Sequence, residues 1–336
     1  MRTMSKWDRV LAALEKAEVD RVPISLWKHY HLQDRAPGQL AEVTLGLHRR
    51  FDTDLIKLTP SGLYPIQDWG ATIQFGRDDD FLPLAVRPVI ASAKEWATLP
   101  RLDVHKGALR RELETIYHVA SGLNGSAPFM MTLFSPLNIA YKLCGDRVSG
   151  QRLVDDLRES PRLVHAGLVV IRDVVIDYAA ACLEAGAPGF FFATQMATTD
   201  LMTRQEFQEF GIPYDLAVLE SFANKSPVTM LHVCKQNLMF DLVAGYPVHA
   251  INWAARTSGT TLSDGRRLTQ KALAGGLSLE TLQHGTEQEV QAEVWATLAE
   301  VGSRGLILAP DCVIPGPSPD ANLAAARRAV EEARTL

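Results

Sequence analysis

The chain of 336 residues is long enough to bury a large core, either as one barrel-sized domain or as two ordinary ones. Its 47% hydrophobic and 22% charged residues are the proportions of a soluble globular protein. The 34 basic and 39 acidic residues give a net charge of −5, which excludes the basic stripe of a nucleic-acid binder.

The sequence contains no segment that predicts export or membrane insertion. No run reaches the roughly 18 uninterrupted apolar residues that span a bilayer, and the first residues lack the apolar core of a secretory signal. Four cysteines in a chain of this length do not make a disulfide framework. We therefore expect a cytoplasmic protein with neither membrane nor nucleic-acid partners.

Short apolar runs, rich in branched or aromatic residues and bounded by Gly, Pro or polar residues, predict eight β-strands. In chain order they are 22–27, 54–58, 128–134, 189–194, 228–234, 249–254, 271–277 and 305–310. Segments of helical periodicity lie before, between and after them. They are 5–17, 38–51, 105–122, 161–185, 203–224, 238–245, 286–302 and 319–335. Ser5 is a helix start signal, and Gly186 and Gly302 are stop signals.

Alternating strands and helices favour a parallel sheet with helical crossovers. Eight such units predict an α/β fold, a closed (β/α)8 TIM barrel with an N-terminal helical extension. A doubly wound open sheet is the rival, but it would carry a Gly-rich turn after its first strand, where this chain has Lys28-His-Tyr-His31. With no internal repeat and no linker, residues 1–336 are expected to form a single domain.

The candidate active site is a set of soft metal ligands, His232, Cys234 and, much later in the chain, Cys312. Residues i and i+2 of a strand point to the same side, so His232 and Cys234 can bind one ion together. Cys312 follows the eighth predicted strand, which faces the fifth across a closed barrel. Three protein ligands with one open position are typical of a catalytic zinc site.

Each cysteine also has an ordinary structural interpretation. A His-x-Cys pair on an apolar strand is more often plain core than a metal site, and the distant Cys312 shifts that balance because it lies in a tight loop after a strand. Cys144 and Cys182 lie in helical patterns and are expected to be small core residues.

Other candidate residues lie near the ends of predicted strands, and we assign them to substrate binding. The three polar residues after the first strand could equally be a solvated loop, and Asp54 could equally serve turn chemistry. Asn252 and Trp253 are interpreted as support for the metal ligands or as a cavity wall. The complete set is Lys28, His29, His31, Asp54, Gln195, Asn252 and Trp253.

Several segments of the chain resemble the uroporphyrinogen decarboxylase superfamily. They are Trp-Asp-Arg-Val at 7–10, Asp-Arg-Val-Pro at 20–23, Phe-Asp-Thr-Asp-Leu at 51–55, Ala-Gly-Ala at 185–187 and Ile-Pro-Gly-Pro at 314–317. The resemblance covers roughly residues 5–335 and is weaker between 60 and 130. It implies a (β/α)8 barrel, in agreement with the strand pattern.

That superfamily has two biochemical branches. Its decarboxylases use no metal and hold the acetate groups of a porphyrinogen with arginines near the first strand and an aspartate after the second. Its zinc-dependent methyltransferases move a methyl group from a corrinoid protein to a thiol such as coenzyme M. Their signature is His-x-Cys followed by a distant Cys, which His232, Cys234 and Cys312 match.

Two departures weaken the decarboxylase interpretation. The Arg-Gln-Ala-Gly-Arg-like segment of those enzymes is replaced by Lys-His-Tyr-His-Leu at 28–32, and their Gly-His-Gly segment by Asp-Cys-Val at 311–313. Asp54 remains where the decarboxylase aspartate would fall, but it is compatible with both branches. The resemblance therefore implies a zinc methyltransferase, with a metal-free lyase acting on a carboxylated substrate as the alternative. A non-catalytic corrinoid-binding homologue is a third possibility.

The methyltransferase interpretation implies Zn²⁺, a thiol substrate and a methylated corrinoid. The chain has no Asp-x-His-x-x-Gly segment of the kind that corrinoid-carrying modules use. The methylcobalamin is therefore expected to arrive on a partner protein. The sequence does not identify the thiol, although Lys28 or Arg256 could bind a sulfonate.

Overall fold

A computed structural model of the protein describes residues 3–76, 82–145 and 150–333. Within these ranges the strands are β1 (Ile56–Leu58), β2 (Thr72–Gln74), β3 (Leu84–Arg87), β4 (Phe129–Phe134), β5 (Gly189–Thr194), β6 (Val228–Val233), β7 (Ala250–Trp253), β8 (Ala272–Leu277) and β9 (Leu306–Pro310). The helices are α1 (Lys6–Leu14), α2 (Pro37–Phe51), α3 (Tyr64–Gln67), α4 (Gly107–Leu123), α5 (Pro136–Leu143), α6 (Gln151–Glu159), α7 (Pro161–Glu184), α8 (Arg204–Phe210), α9 (Ile212–Phe222), α10 (Phe240–Val243), α11 (Leu262–Leu268), α12 (Leu279–His284), α13 (Glu287–Val301) and α14 (Asp320–Glu332), with a 3-10 helix at Ala93–Thr98.

Seven strands form one curved parallel sheet in the order β1-β4-β5-β6-β7-β8-β9. The predicted first strand, 22–27, is not a full strand, and this corrects the expectation. It makes isolated bridges instead, between Ile24 and Leu308 and between Lys28 and Ile314. Pro23 contributes to the interruption because it has no N–H to donate to a ladder.

The segment around Ile24 nevertheless occupies the eighth position of the barrel. The Leu308 N–H donates to the Pro23 carbonyl at 2.8 Å, and the Ser25 N–H donates to the Leu308 carbonyl at 2.9 Å. On the other side, the Asp54 N–H donates to the Ile24 carbonyl at 2.8 Å. The segment thus joins β9 to the chain that enters β1, and the fold is the predicted TIM barrel with α1 as its N-terminal extension and α2 as the helix between this segment and β1.

The barrel strands are buried on both faces, which explains their continuous apolar sequences. Every residue of β4 to β9 is buried in the described structure, with side chains packed inward or against the surrounding helices. Gly189 shows how tightly the strands approach, because a Cβ at this position would collide with the carbonyl oxygen of Val228 on the neighbouring strand.

Several helices differ from the sequence prediction. The predicted helix 203–224 is two helices, α8 and α9, with Gly211 between them. Pro213, at the start of α9, has no N–H with which to continue the backbone hydrogen bonds of α8. Helix α5 was not predicted, because all eight of its residues are buried and it therefore has no polar face. The β2–β3 hairpin was also not predicted. None of the described helices is long and apolar enough to cross a membrane.

Candidate metal centre

The structure brings His232, Cys234 and Cys312 together at the carboxyl ends of the barrel strands. One possible ligand atom from each residue lies within 4.8 Å of the other two, and His232 Nε2 is 3.6 Å from Cys312 Sγ. Zinc bonds of usual length at tetrahedral angles would place such atoms roughly 3.5–3.8 Å apart. A small contraction therefore suffices for the three residues to hold one ion, and the residues fit zinc.

Backbone pairing fixes the positions of these ligands. His232 lies in β6 opposite Asn252 of β7, and the Cys234 N–H donates to the Thr194 carbonyl at 3.0 Å, which extends the β5–β6 pairing by one residue beyond β6. Cys312 follows β9, where the Asp311 N–H donates to the Leu277 carbonyl at 2.9 Å. The ligands are thus placed by strand ends, which are the rigid part of a barrel.

Asn252 sets the tautomer of His232. Its amide Nδ2 donates to the carbonyls of Ala274 at 3.0 Å and Pro310 at 3.1 Å, so both of its protons are used. Its Oδ1 therefore accepts from His232 Nδ1, at 2.6 Å. With the proton on Nδ1, the lone pair of Nε2 faces Cys312. This arrangement is the one that a metal-binding imidazole requires.

The two thiols differ in acidity. A hydrogen bond from the Cys312 thiol, assisted by Lys235 and Gln195, lowers the pKa of Cys234 from 9.0 to about 7 although burial opposes the shift. The same hydrogen bond, together with burial, raises the pKa of Cys312. Because a metal needs both sulfurs as thiolates, binding of a divalent cation would displace the proton of Cys312.

The metal ligands lie in a cavity of about 590 Å³ at the barrel mouth. Among the described residues that line it there are two lysines, Lys57 and Lys142, but no carboxylate and no arginine. Burial lowers the pKa of Lys57 from 10.5 to about 7, although the nearby Cys312 sulfur opposes the shift. With two lysines and no carboxylate among its described lining residues, the cavity can present positive charge to a ligand, and burial is the cost of that charge.

Four of the predicted substrate-binding residues lie at this cavity or directly behind it. His29, His31 and Gln195 line it, and Asn252 lies behind His232 as described above. Lys28 is one step removed, because its ammonium donates to the carbonyl of Gly316, a lining residue, at 2.7 Å.

The expectation that Asp54 and Trp253 lie in the cavity is wrong. Asp54 comes before β1, at the amino end of the strand, where it pairs with Arg9 and Arg21. Trp253 follows Asn252 in β7, and neighbouring residues of a strand point to opposite faces. Its ring therefore packs outward on Phe240, and its indole N–H donates to the Thr260 carbonyl at 2.7 Å.

The sequence analysis missed the two lysines and Phe191. Lys57 lies within the predicted strand 54–58, and a charged residue inside a buried strand is a signal that could have identified it. Lys142 belongs to the unpredicted helix α5. Phe191 stacks on His232, with ring centroids 5.1 Å apart, but nothing in the apolar sequence of β5 distinguishes it from core.

Comparisons with known proteins identify the family and the fold. The family described as uroporphyrinogen decarboxylase matches residues 5–333. A methylcobamide:CoM methyltransferase, MtbA, of Methanosarcina acetivorans is 22% identical over 334 residues, or 94% of each chain. A uroporphyrinogen decarboxylase of Xanthomonas axonopodis pv. citri is 27% identical over 324 residues, or 88% of each chain. A solved methyltransferase structure from Methanosarcina mazei has the same fold, with a TM-score of 0.81 over 98% of this chain and 99% of its own at 22% identity.

Proposed function

The chain belongs to the uroporphyrinogen decarboxylase family, and we propose that it is a single-domain, zinc-dependent methyltransferase. In this proposal it moves a methyl group from a methylated corrinoid, carried by a partner protein, to a thiol. The observation that carries the proposal is the meeting of His232, Cys234 and Cys312 at the mouth of the barrel. A metal-free decarboxylase has no use for such a set.

Zinc is the metal that this donor set favours. Two thiolates select a soft or borderline cation, and a third protein ligand with one position left open is the arrangement of catalytic zinc. When bound, zinc supplies a Lewis acid that favours the anionic form of a thiol in its open position.

The protein's own residues orient and shield the reacting groups. Asn252 holds the His232 Nδ1 proton, which keeps Nε2 available to the metal. The aromatic side chains of Trp27, Phe134 and Phe191 line the cavity and limit the access of water to the sulfur.

The reaction is balanced without an oxidant or a reductant. The bond from sulfur to the methyl carbon forms while the bond from that carbon to cobalt breaks, and its electron pair stays on cobalt as Co(I). The thiol proton leaves to solvent.

The cavity lining disfavours the alternative of a metal-free decarboxylase. Such an enzyme holds several acetate groups with arginines, whereas the described lining residues contain no arginine. Arg9 and Arg21, which lie near the predicted first strand, are instead paired with Asp20 and Asp54 away from the cavity.

Methyl transfer from methylcobalamin to a panel of thiols tests the proposal. We expect conversion of methylcobalamin to its Co(I) form, read by absorbance, with zinc-loaded protein and at least one thiol. A matched sample stripped of metal should be inactive. The proposal fails if the zinc-loaded protein transfers no methyl to any thiol, or if purified protein holds no metal and releases CO₂ from a carboxylated porphyrinogen.

A further inference from the structure

We propose that Lys57 is a positioning residue that supplies the positive charge needed to bind the sulfur of the acceptor as an anion. The inference rests on the proposed function, because it assigns a residue to the sulfur-binding part of the same site. Lys57 lies within β1 and lines the same cavity as His232 and Cys234.

The position of the Lys57 ammonium is fixed by aromatic rings next to the metal ligands. Its Nζ lies 4.7 Å from the ring centre of Phe191 and 5.9 Å from that of Trp27. The same Phe191 ring stacks on His232. One aromatic ring therefore contacts both a metal ligand and the ammonium, and Lys57 lines the same cavity as the three metal ligands.

The buried ammonium is not paired with a carboxylate of the residues that the structure describes. Lys57 is 4% exposed, and its Nζ donates to the hydroxyl of Thr59 at 3.1 Å. No carboxylate among the described residues faces it, and the described cavity lining contains none. Burying a charge without a partner is costly, so an anion that enters the cavity gains a favourable interaction that water cannot match. The lowered pKa of Lys57 reflects the same cost.

The charge of the metal centre indicates which anion this is. Two thiolates and a neutral imidazole cancel the charge of a divalent cation, so the loaded triad by itself attracts an anion weakly. An anionic sulfur brought to that site adds one buried negative charge, which needs a positive partner. Lys57 lines the same cavity as the metal ligands, and its ammonium contacts the ring that stacks on His232.

The second lysine of the cavity differs from Lys57 in the aromatic ring that its ammonium contacts. The ammonium of Lys142 lies over the Phe134 ring, at 4.5 Å, on helix α5. Phe134 ends β4 and does not stack on a metal ligand in the described structure, whereas Phe191 does. We therefore assign the sulfur to Lys57 and not to Lys142.

The test compares zinc-loaded wild type with Lys57→Met, which keeps the aliphatic stem, and Lys57→Arg, which restores the charge. Calorimetry measures the affinity for two thiols, neutral 2-mercaptoethanol and anionic 2-mercaptoethanesulfonate. We expect Lys57→Met to bind both thiols about 10- to 100-fold more weakly, with unchanged zinc content and partial recovery in Lys57→Arg. Lys271→Met, at the amino end of β8, controls for the loss of a positive charge elsewhere.

Three outcomes overturn the inference. Loss of affinity for 2-mercaptoethanesulfonate alone would mean that Lys57 binds the sulfonate and not the sulfur. Unchanged affinity for both thiols would make its role structural. If Lys57→Met does not fold, the same comparison is made with Lys57→Arg and Lys57→Gln, and equal affinity of those two variants counts against the charge.

Methylcobalamin turnover of the wild type, measured in parallel, separates this inference from the proposed function. Wild type that binds thiol in a Lys57-dependent manner but transfers no methyl supports the role of Lys57 and refutes the methyltransferase. Wild type that binds no thiol refutes both.

Discussion

Two buried polar clusters lie at opposite ends of the barrel strands. The charges of one are paired with each other, whereas the polar groups of the other face a cavity. At the amino end, Arg9, Arg21, Asp20 and Asp54 pair with one another. The Arg9 guanidinium donates to Asp20 and to Asp54, each at 2.6 Å, and Arg21 binds Asp54 through two of its nitrogens. At the carboxyl end, the ligand atoms of His232, Cys234 and Cys312 lie within 4.8 Å of one another, and Lys57 has no carboxylate partner among the described residues.

Whether its charges are paired determines whether each cluster can bind a ligand. Two arginines and two aspartates cancel in charge, and the Ile24 N–H satisfies a further oxygen of Asp54 at 2.9 Å. Arg21 also pairs with Glu331 of α14, at 3.1 Å. Such a fully paired network holds the N-terminal extension on the barrel and leaves nothing for a ligand. The carboxyl-end cluster is incomplete without one, because its ligand atoms and its ammonium face a cavity. Incomplete polar clusters in a cavity are the places where binding and chemistry are found.

Removing a metal ligand should have the largest effect, and it should change the carboxyl-end cluster alone. We expect Cys312→Ala to lose the zinc, about one ion per chain in the wild type, while the protein stays folded because the barrel forms without metal. Metal analysis and circular dichroism of the purified variant measure both effects, and His232→Ala and Cys234→Ala should behave alike. Zinc retained in full by Cys312→Ala would remove this residue from the site.

Breaking the amino-end network should lower the stability of the fold and leave zinc binding unchanged. Asp54→Ala leaves two buried arginines without their shared partner, so we expect the free energy of unfolding to fall by about 3–5 kcal/mol. Zinc content of the folded protein should not change. Urea unfolding and metal analysis give the two numbers. A variant of normal stability that no longer turns over a thiol would return Asp54 to the active site.

Altering the support of His232 should have an intermediate effect. Asn252→Leu removes the acceptor of the Nδ1 proton, and we expect zinc affinity to fall about 10- to 100-fold, since partners of this kind contribute that much. Competition with a chelator measures the affinity. Trp253→Phe, one residue away but facing the helices, is the control and should leave it unchanged. Equal losses in both variants would attribute the effect to the strand and not to the imidazole.

Acid should weaken the amino-end cluster by a smaller amount. Burial alone would raise the pKa of Asp20, but the hydrogen bonds from Arg9 and from the Met4 N–H outweigh it and lower the pKa from 3.8 to about 2. A depressed carboxyl pKa stabilises the fold above the unfolded value and loses that contribution as the pH falls through the folded one. The difference in unfolding free energy between wild type and Asp20→Asn should therefore shrink by about 2 kcal/mol between pH 5 and pH 2. If the difference in unfolding free energy between the two proteins is constant across this pH range, the pKa of Asp20 is not lowered by folding.

Local sequence patterns predicted the parts of this protein that repeat a simple rule. Strands buried on both faces are continuous apolar runs, so the seven ladder strands of the barrel were identified along with the long helices between them. The metal ligands were predictable for a similar reason, since His232 and Cys234 are two residues apart on one strand and Cys312 follows another. Each of these inferences needs only spacing along the chain and the direction of a strand.

Contacts between distant segments decided the rest. Asp54 is a carboxylate near a strand in the sequence, and only the approach of Arg9 and Arg21 makes it structural. Trp253 and Asn252 are neighbours on one strand and point to opposite faces, and only the assembled barrel shows that Asn252 is the one that faces His232. Lys57 is one charge in an apolar run until Phe191, more than a hundred residues away in the chain, places it beside the metal ligands. The sequence alone determined which residues can bind a metal and at which end of the strands, because these depend on residue type and strand direction. Which charges are paired with each other and which are left for a ligand could be seen only in the folded protein, because pairing requires contact between residues that are far apart in the sequence.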